Sequence, residues 1–145
     1  MNLILDQGNT ATKIVLVDRG EAVYSAACSR LTSEELAALI DRYRPECGII
    51  ASVATPDPAW LDLLRRRLRR FLSLNDDPTI RLPITLGYRT PETLGRDRIA
   101  AAVGAWTLRP EVPLLIIDAG TAITYDVVLP PGHFVGGNIS PGLTT

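Results

Sequence analysis

Leu-Ile-Leu-Asp-Gln-Gly-Asn-Thr at residues 3–10 is answered by Leu-Ile-Ile-Asp-Ala-Gly-Thr-Ala at residues 115–122. In each copy an apolar strand runs into an aspartate, one further residue and a glycine. A second apolar, β-branched strand then begins, residues 13–17 after the first copy and 125–129 after the second. One Asp-x-Gly phrase is an ordinary corner between strands. Two copies with matching flanks point instead to an internal duplication, and to hairpins whose loops are built to hold phosphate.

Outward from the first copy, residues 2–6, 11–18 and 21–28 read as three consecutive strands, with Arg19-Gly20 as the tight turn between the last two. Thr32 with Glu35 makes a capping-box pattern, and Leu36, Leu39, Ile40 and Tyr43 follow at helical spacing until Pro45. Residues 47–53 read as a buried strand. Asp57 as N-cap and Pro58 at the first helical position open a second helix, with Trp60, Leu64, Leu68 and Phe71 along one face. Residues 75–83 are a loop, residues 98–108 a helix closed by Arg109-Pro110, and Val112-Pro113 a domain joint. Beyond the joint, strands at 114–118, 122–129 and 134–137 repeat the opening of the first unit. The expected domains are therefore 1–112 and 113–145. The second would be incomplete, without the helices that cover its counterpart, so that one face of its sheet is exposed unless a partner covers it.

Composition narrows the function classes. A chain of 145 residues suits one domain or slightly more, and 46% hydrophobic with 21% charged residues is an ordinary globular balance. A net charge of −1 argues against bulk attraction to nucleic acid or an anionic membrane. Cys28 and Cys47 lack metal-ligand spacing and fit a reducing cytoplasm. With neither a leader-like N-terminus nor an apolar run of the ~18 residues a span needs, a soluble, unexported protein is expected. Arg65, Arg66, Arg67, Arg69 and Arg70 read as the solvated side of the second helix, and His133 as an exposed turn residue. The chain contains neither a P-loop nor a Rossmann glycine pattern.

In the repeated hairpins, Gly8 and Gly120 let the backbone approach a ligand, and Asn9, Thr10 and Thr121 offer donors to phosphate oxygens. Asp6 and Asp118 are hard oxygen ligands suited to magnesium or its waters, and Lys13 supplies a point charge for a terminal phosphate. A second constellation is Tyr88-Arg89-Thr90-Pro91-Glu92-Thr93-Leu94-Gly95-Arg96-Asp97-Arg98, read as a loop feeding the third helix. Asp97 there is either the N-cap of that helix or a base that accepts the proton of a substrate hydroxyl, with Arg98 pairing a substrate carboxylate.

Four segments in this order resemble the type III pantothenate kinases: residues 6–13, residues 90–98 with their Gly-x-Asp-Arg core, residues 118–122, and the Gly-Gly-Asn-Ile-Ser-Pro-Gly run at 136–142. The resemblance extends over essentially the whole chain. It implies an α/β, ribonuclease H-like fold of the acetate and sugar kinase, Hsp70 and actin superfamily, duplicated, with a mixed sheet and helices and an incomplete second domain. It also implies ATP-dependent phosphorylation of pantothenate to 4′-phosphopantothenate, the first step of coenzyme A synthesis. Carried over by position, Asp6, Gln7, Gly8, Asn9, Thr10, Ala11, Thr12, Lys13 and Thr121 bind ATP, with magnesium near Asp6. Tyr88, Gly95, Arg96, Asp97 and Arg98 bind pantothenate, with Asp97 as proton acceptor, and Asp118 holds potassium or ammonium. The partners implied are ATP, pantothenate and a second subunit of a homodimer, with no nucleic acid and no membrane. Two other readings stand beside it: another kinase or ATPase of the superfamily, and an inactive module with an assembly or regulatory role.

Overall fold

The computed structural model describes residues 1–142, so residues 143–145 of the expected second domain lie outside the described residues. The chain divides into two compact units, Met1–Ile80 and Arg81–Thr145. In the first, β1 (Asn2–Gln7), β2 (Thr12–Asp18) and β3 (Glu21–Cys28) form an antiparallel meander. β4 (Cys47–Ser52) adds to β1 in parallel and β5 (Arg70–Ser73) adds to β4, giving the order β3-β2-β1-β4-β5. The two helices, α1 (Ser33–Tyr43) and α2 (Pro58–Arg67), start where the local signals put them. The Glu35 amide donates to Thr32 Oγ1 at 3.2 Å and the Thr32 amide to Glu35 Oε2 at 2.9 Å, a complete capping box. At α2 the Ala59 amide donates to Asp57 Oδ1 at 2.8 Å. Strand alternation sends Leu3, Leu5, Ile14, Leu16 and Ile50 into one core with Leu36, Ile40, Trp60, Leu61 and Leu64.

One element was misread. The helical apolar spacing runs on through Leu68 and Phe71, but α2 stops at Arg67, Leu68 is extended, and Phe71 lies in β5. The Arg69 and Arg70 amides both donate to the Glu46 carbonyl, at 2.9 and 3.2 Å, which turns the chain into register beside β4. Thus Arg69 and Arg70 are not on the helix face assigned to them, whereas Arg65, Arg66 and Arg67 are exposed on α2.

The second unit holds β6 (Thr85–Leu86), a 3-10 turn at Pro91–Thr93, α3 (Arg96–Leu108), β7 (Leu114–Ala119), β8 (Ala122–Leu129) and β9 (His133–Pro141). The sheet order is β6-β9-β8-β7, with β6 parallel to β9 and the rest antiparallel. β7-β8-β9 repeats β1-β2-β3 down to an irregularity. Leu3 faces Leu16, which faces Tyr24, and the register then slips so that Val17 faces Ala22 and Val23 is left over. Leu115 faces Val127, which faces Gly136, and the register slips so that Val128 faces Phe134 and Val135 is left over. Each bulge faces the residue three before the hairpin aspartate, a coincidence that independent sheets would not produce. The fold is α/β, two mixed sheets built on one repeated meander.

The repeat also explains which surfaces are bare. Leu115 and Ile117 correspond to Leu3 and Leu5, yet they are 65% and 57% exposed where Leu3 and Leu5 are covered. The exposed face expected of the second sheet is therefore present. α3 packs on the other face, where Ile99 and Ala102 join Ile84, Leu94, Val128 and Phe134. Compactness accordingly draws its line at 80/81 rather than 112/113, because the apolar side of α3 is buried with β8 and β9.

Among the described residues no helix is long and apolar enough to cross a membrane. Gly104 sits exposed within α3, and a Cβ added there meets nothing within 4 Å. Gly104→Ala is expected to raise unfolding free energy by about 0.5–1 kcal/mol, by removing freedom from the unfolded chain. Urea unfolding of the pair of proteins measures it, and a loss of stability would contradict the open environment of that position.

Candidate functional site

In the first hairpin Asp6 and Lys13 are direct cross-strand partners on the face away from the core, with Lys13 Nζ 3.6 Å from Asp6 Oδ2. Both are well solvated, so the pair is loosely held and separates at little cost when a cation or a polyphosphate arrives. The Gly8 amide donates to the Ala11 carbonyl at 3.0 Å and closes the loop, leaving Asn9 and Thr10 exposed at its tip. Gln7 and Thr12, the next cross-strand pair, are built inward. Gln7 Oε1 accepts from Ser52 Oγ at 2.9 Å, and its carbonyl accepts from the Val53 amide at 3.0 Å. Asn75 clasps the same Ser52 from the other side, through its amide at 2.9 Å and its carbonyl at 2.7 Å. Thr12 is buried. These contacts fix the hairpin to the end of β4; the side chains that face outward from the motif are Asp6, Asn9, Thr10 and Lys13.

The second hairpin has a loop one residue shorter. The Gly120 amide donates to the Ala122 carbonyl at 2.9 Å, and the Gly142 amide donates to the Thr121 carbonyl at 3.0 Å. Asp118 is exposed and faces Thr124 across the strands, in the place Lys13 holds opposite Asp6. Among the described residues there is no cluster of three or more His, Cys, Asp or Glu side chains. A cation at either aspartate would therefore take one carboxylate from the protein and complete its shell with carbonyls, water or a ligand's oxygens, a donor set that suits magnesium with a nucleotide and a monovalent ion equally.

The third element is the start of α3. The helix begins two residues earlier than its periodicity indicates, with Gly95 as N-cap and Asp97 inside the first turn, so Asp97 is not the N-cap. Asp97 Oδ1 accepts from the Arg98 amide at 2.9 Å, and a Cβ on residue 95 would collide with that same oxygen. The glycine of Gly-x-Asp-Arg is thus the space into which the carboxylate folds, at the positive end of a helix. Arg96 and Asp97 are half-buried.

Arg98, expected to pair a substrate carboxylate, has its guanidinium matched within the fold: Nε donates to Asp126 Oδ2 at 2.9 Å and Nη2 to Asp126 Oδ1 at 2.5 Å, with the two side chains 6% and 2% exposed. The Asp126 hydrogen bonds hold the Arg98 pKa above its ordinary value, against the opposing effect of burial and with a contribution from Tyr88. Sequence reasoning passed over Asp126. Its signal was a carboxylate as the one charged side chain of the strand Ala-Ile-Thr-Tyr-Asp-Val-Val-Leu.

Tyr88 completes the arrangement, with Arg98 Cζ 5.8 Å from its ring centroid. A Cβ on Gly136 would lie 3.0 Å from the Tyr88 ring, and one on Gly137 would strike the Tyr125 carbonyl and Asp126. The Gly-Gly pair lies within β9, and its bareness admits an aromatic ring on one residue and a buried carboxylate on the next. Tyr88, Arg89, Thr90, Val135, Gly136 and Gly137 line a cavity of about 600 Å³. His133 lies at the start of β9, exposed, with Nδ1 3.1 Å from Thr85 Oγ1.

Residues 2–145 match the family model of type III pantothenate kinase. A curated type III pantothenate kinase of Phocaeicola vulgatus is 42% identical over 143 residues, covering 99% of this chain and 58% of its own length. The type III pantothenate kinase of Azobacteroides pseudotrichonymphae genomovar. CFP2 is 40% identical over 142 residues, covering 98% of this chain and 57% of its own. The chain thus spans less than three-fifths of the length of these relatives. Among solved structures, a candidate Baf family transcriptional activator from Campylobacter jejuni matches with TM-score 0.54 at 22% identity, over 97% of this chain and 55% of that one. A candidate 2-dehydro-3-deoxygalactonokinase from Sinorhizobium meliloti matches with TM-score 0.57 at 13% identity, over 96% and 54%. At those identities the two structures speak for the fold alone.

Proposed function

The chain belongs to the type III pantothenate kinase family, and on that premise we propose that it takes part in ATP-dependent phosphorylation of pantothenate to 4′-phosphopantothenate, the opening step of coenzyme A synthesis. The observation that carries this reading is the convergence of Tyr88 and the Gly95 to Arg98 run within one unit. Arg98 lies against the Tyr88 ring, and Asp97 is held beside it in the first turn of α3. An aromatic wall offers apolar contact to a small substrate, and a helix-anchored carboxylate offers a proton acceptor to its hydroxyl.

In this proposal Asp97 accepts the proton of the pantothenate primary hydroxyl as that oxygen attacks the γ-phosphorus in line. The bond from phosphorus to the β,γ-bridging oxygen breaks, and ADP leaves with the electron pair. Tyr88 packs along the substrate, with Gly95, Arg96 and Arg98 shaping the rest of its site. Asn9, Thr10 and Lys13 are the phosphate-contacting residues we assign to the first unit and Thr121 the one we assign to the second, while Gln7, Gly8, Ala11 and Thr12 hold the first loop in shape. Asp6 is the residue that would hold magnesium and Asp118 the one that would hold potassium or ammonium. Such cations, when bound, neutralise charge on the phosphates. A homodimer in the cytoplasm is the setting we assign to it.

Pantothenate-dependent ADP release by the full chain, with potassium and then sodium as the salt, tests the reading. Release is expected with pantothenate and potassium together and to fall sharply in sodium. Release that ignores pantothenate would exclude the substrate assignment, and equal rates in the two salts would remove the monovalent cation from Asp118.

A further inference from the structure

We propose that Asp126 is a positioning residue for the pantothenate site, acting through Arg98 on Tyr88 and on the first turn of α3. The inference rests on the substrate assignment above.

The repeat supplies the argument. In the first meander the residue of β1 two before the aspartate, Ile4, faces Val15. In the second the same position, Ile116, faces Asp126. In the first unit the position holds an apolar side chain on a half-exposed face, whereas in the second it is buried under α3 and holds a carboxylate, in the unit that carries Tyr88 and Asp97. Burying it is unfavourable unless it is paired, and replacing such pairs by apolar side chains is often neutral for stability. Stability alone thus gives no reason for the charge.

Position does. Asp126 meets the guanidinium through two parallel hydrogen bonds, a planar fork that fixes both the place and the rotation of Arg98. That side chain lies against the Tyr88 ring, and its own backbone amide donates to Asp97 Oδ1. One carboxylate on β8 thereby sets the cavity's aromatic wall and the start of the helix that carries the proton acceptor. Gly137 lets the Asp126 oxygen come up directly behind the cavity lining, and Gly136 lets the Tyr88 ring come close to the strand. Two bare residues in succession serve the two ends of the same chain of contacts.

The test is steady-state kinetics of the full chain carrying Asp126→Asn, and separately of Asp126→Glu, which keeps Arg98 in place and a carboxylate opposite its guanidinium if the first does not fold. The expected result is a pantothenate KM raised roughly ten- to a hundredfold, as for a displaced positioning group, with the KM for ATP within about twofold of the parent. A purely structural pair would lower the amount of active protein, hence apparent kcat, and leave the pantothenate KM in place. If the parent chain releases ADP with pantothenate and the folded Asp126 variants keep the parent's pantothenate KM, the positioning role is overturned by itself. If the parent shows no pantothenate dependence, the substrate reading fails and this inference with it.

Discussion

Asp97→Asn is expected to leave ATP binding intact and to lower pantothenate-dependent turnover by roughly two to four orders of magnitude, the weight of a positioned general base. The substitution is nearly isosteric. The amide oxygen can still accept from the Arg98 backbone N–H, now at 2.9 Å from Asp97 Oδ1, and the space left by Gly95 still admits the side chain. What disappears is the capacity to take up a proton, together with a favourable charge at a helix N-terminus worth about 0.3–1 kcal/mol of stability. Turnover and stability therefore separate in magnitude: a small loss in one, a large loss in the other. Calorimetric titration with ATP and single-turnover ADP release on the same preparation report both, and turnover within a few-fold of the parent would remove Asp97 from the proton-acceptor role.

Local signals match the structure where a side-chain cap or a glycine turn marks them. The Thr32 and Glu35 box, the Asp57-Pro58 start and the Arg19-Gly20 turn depend on residues within a few positions, and each is in place. β5 escaped because nothing near Leu68 ends a helix. Its strand state is imposed by β4, more than twenty residues earlier in the chain. The start of α3 was placed late because glycine is a quiet N-cap, recognisable here only from the carboxylate it accommodates.

The candidate site divides in the same way. The motif at residues 6–13 resembles one block of ligand-facing residues, yet alternation along a strand already separates it. Gln7 shares a side with Leu3 and Leu5, and Thr12 with Ile14 and Leu16, so both turn toward the core while Asp6 and Lys13 turn away. Parity of position is legible in the sequence. The Arg98 partner was not legible from spacing, since Asp126 is 28 residues on and comes alongside only when β8 passes beneath α3. The doubled Asp-x-Gly phrase records duplication, whereas the 80/81 division records packing, and α3 is where the two criteria part.

Two ion pairs of equal length show what burial does to a charge. Arg98 Nη2 to Asp126 Oδ1 and Arg67 Nη1 to Asp41 Oδ1 are both 2.5 Å. The first pair is 6% and 2% exposed, the second 46% and 61%. Arg67→Met frees an aspartate into water, and the expected change is under about 1 kcal/mol, because solvent replaces what the pair supplied. Arg98→Met leaves Asp126 sealed under α3 with no countercharge, and the expected cost is about 3–5 kcal/mol. That is a large part of the ~5–15 kcal/mol by which a domain of ordinary stability stays folded. Urea unfolding of the two variants beside the parent measures the contrast. A loss for Arg98→Met as slight as that for Arg67→Met would mean that water reaches Asp126, and the buried fork would then no longer account for the geometry around Tyr88.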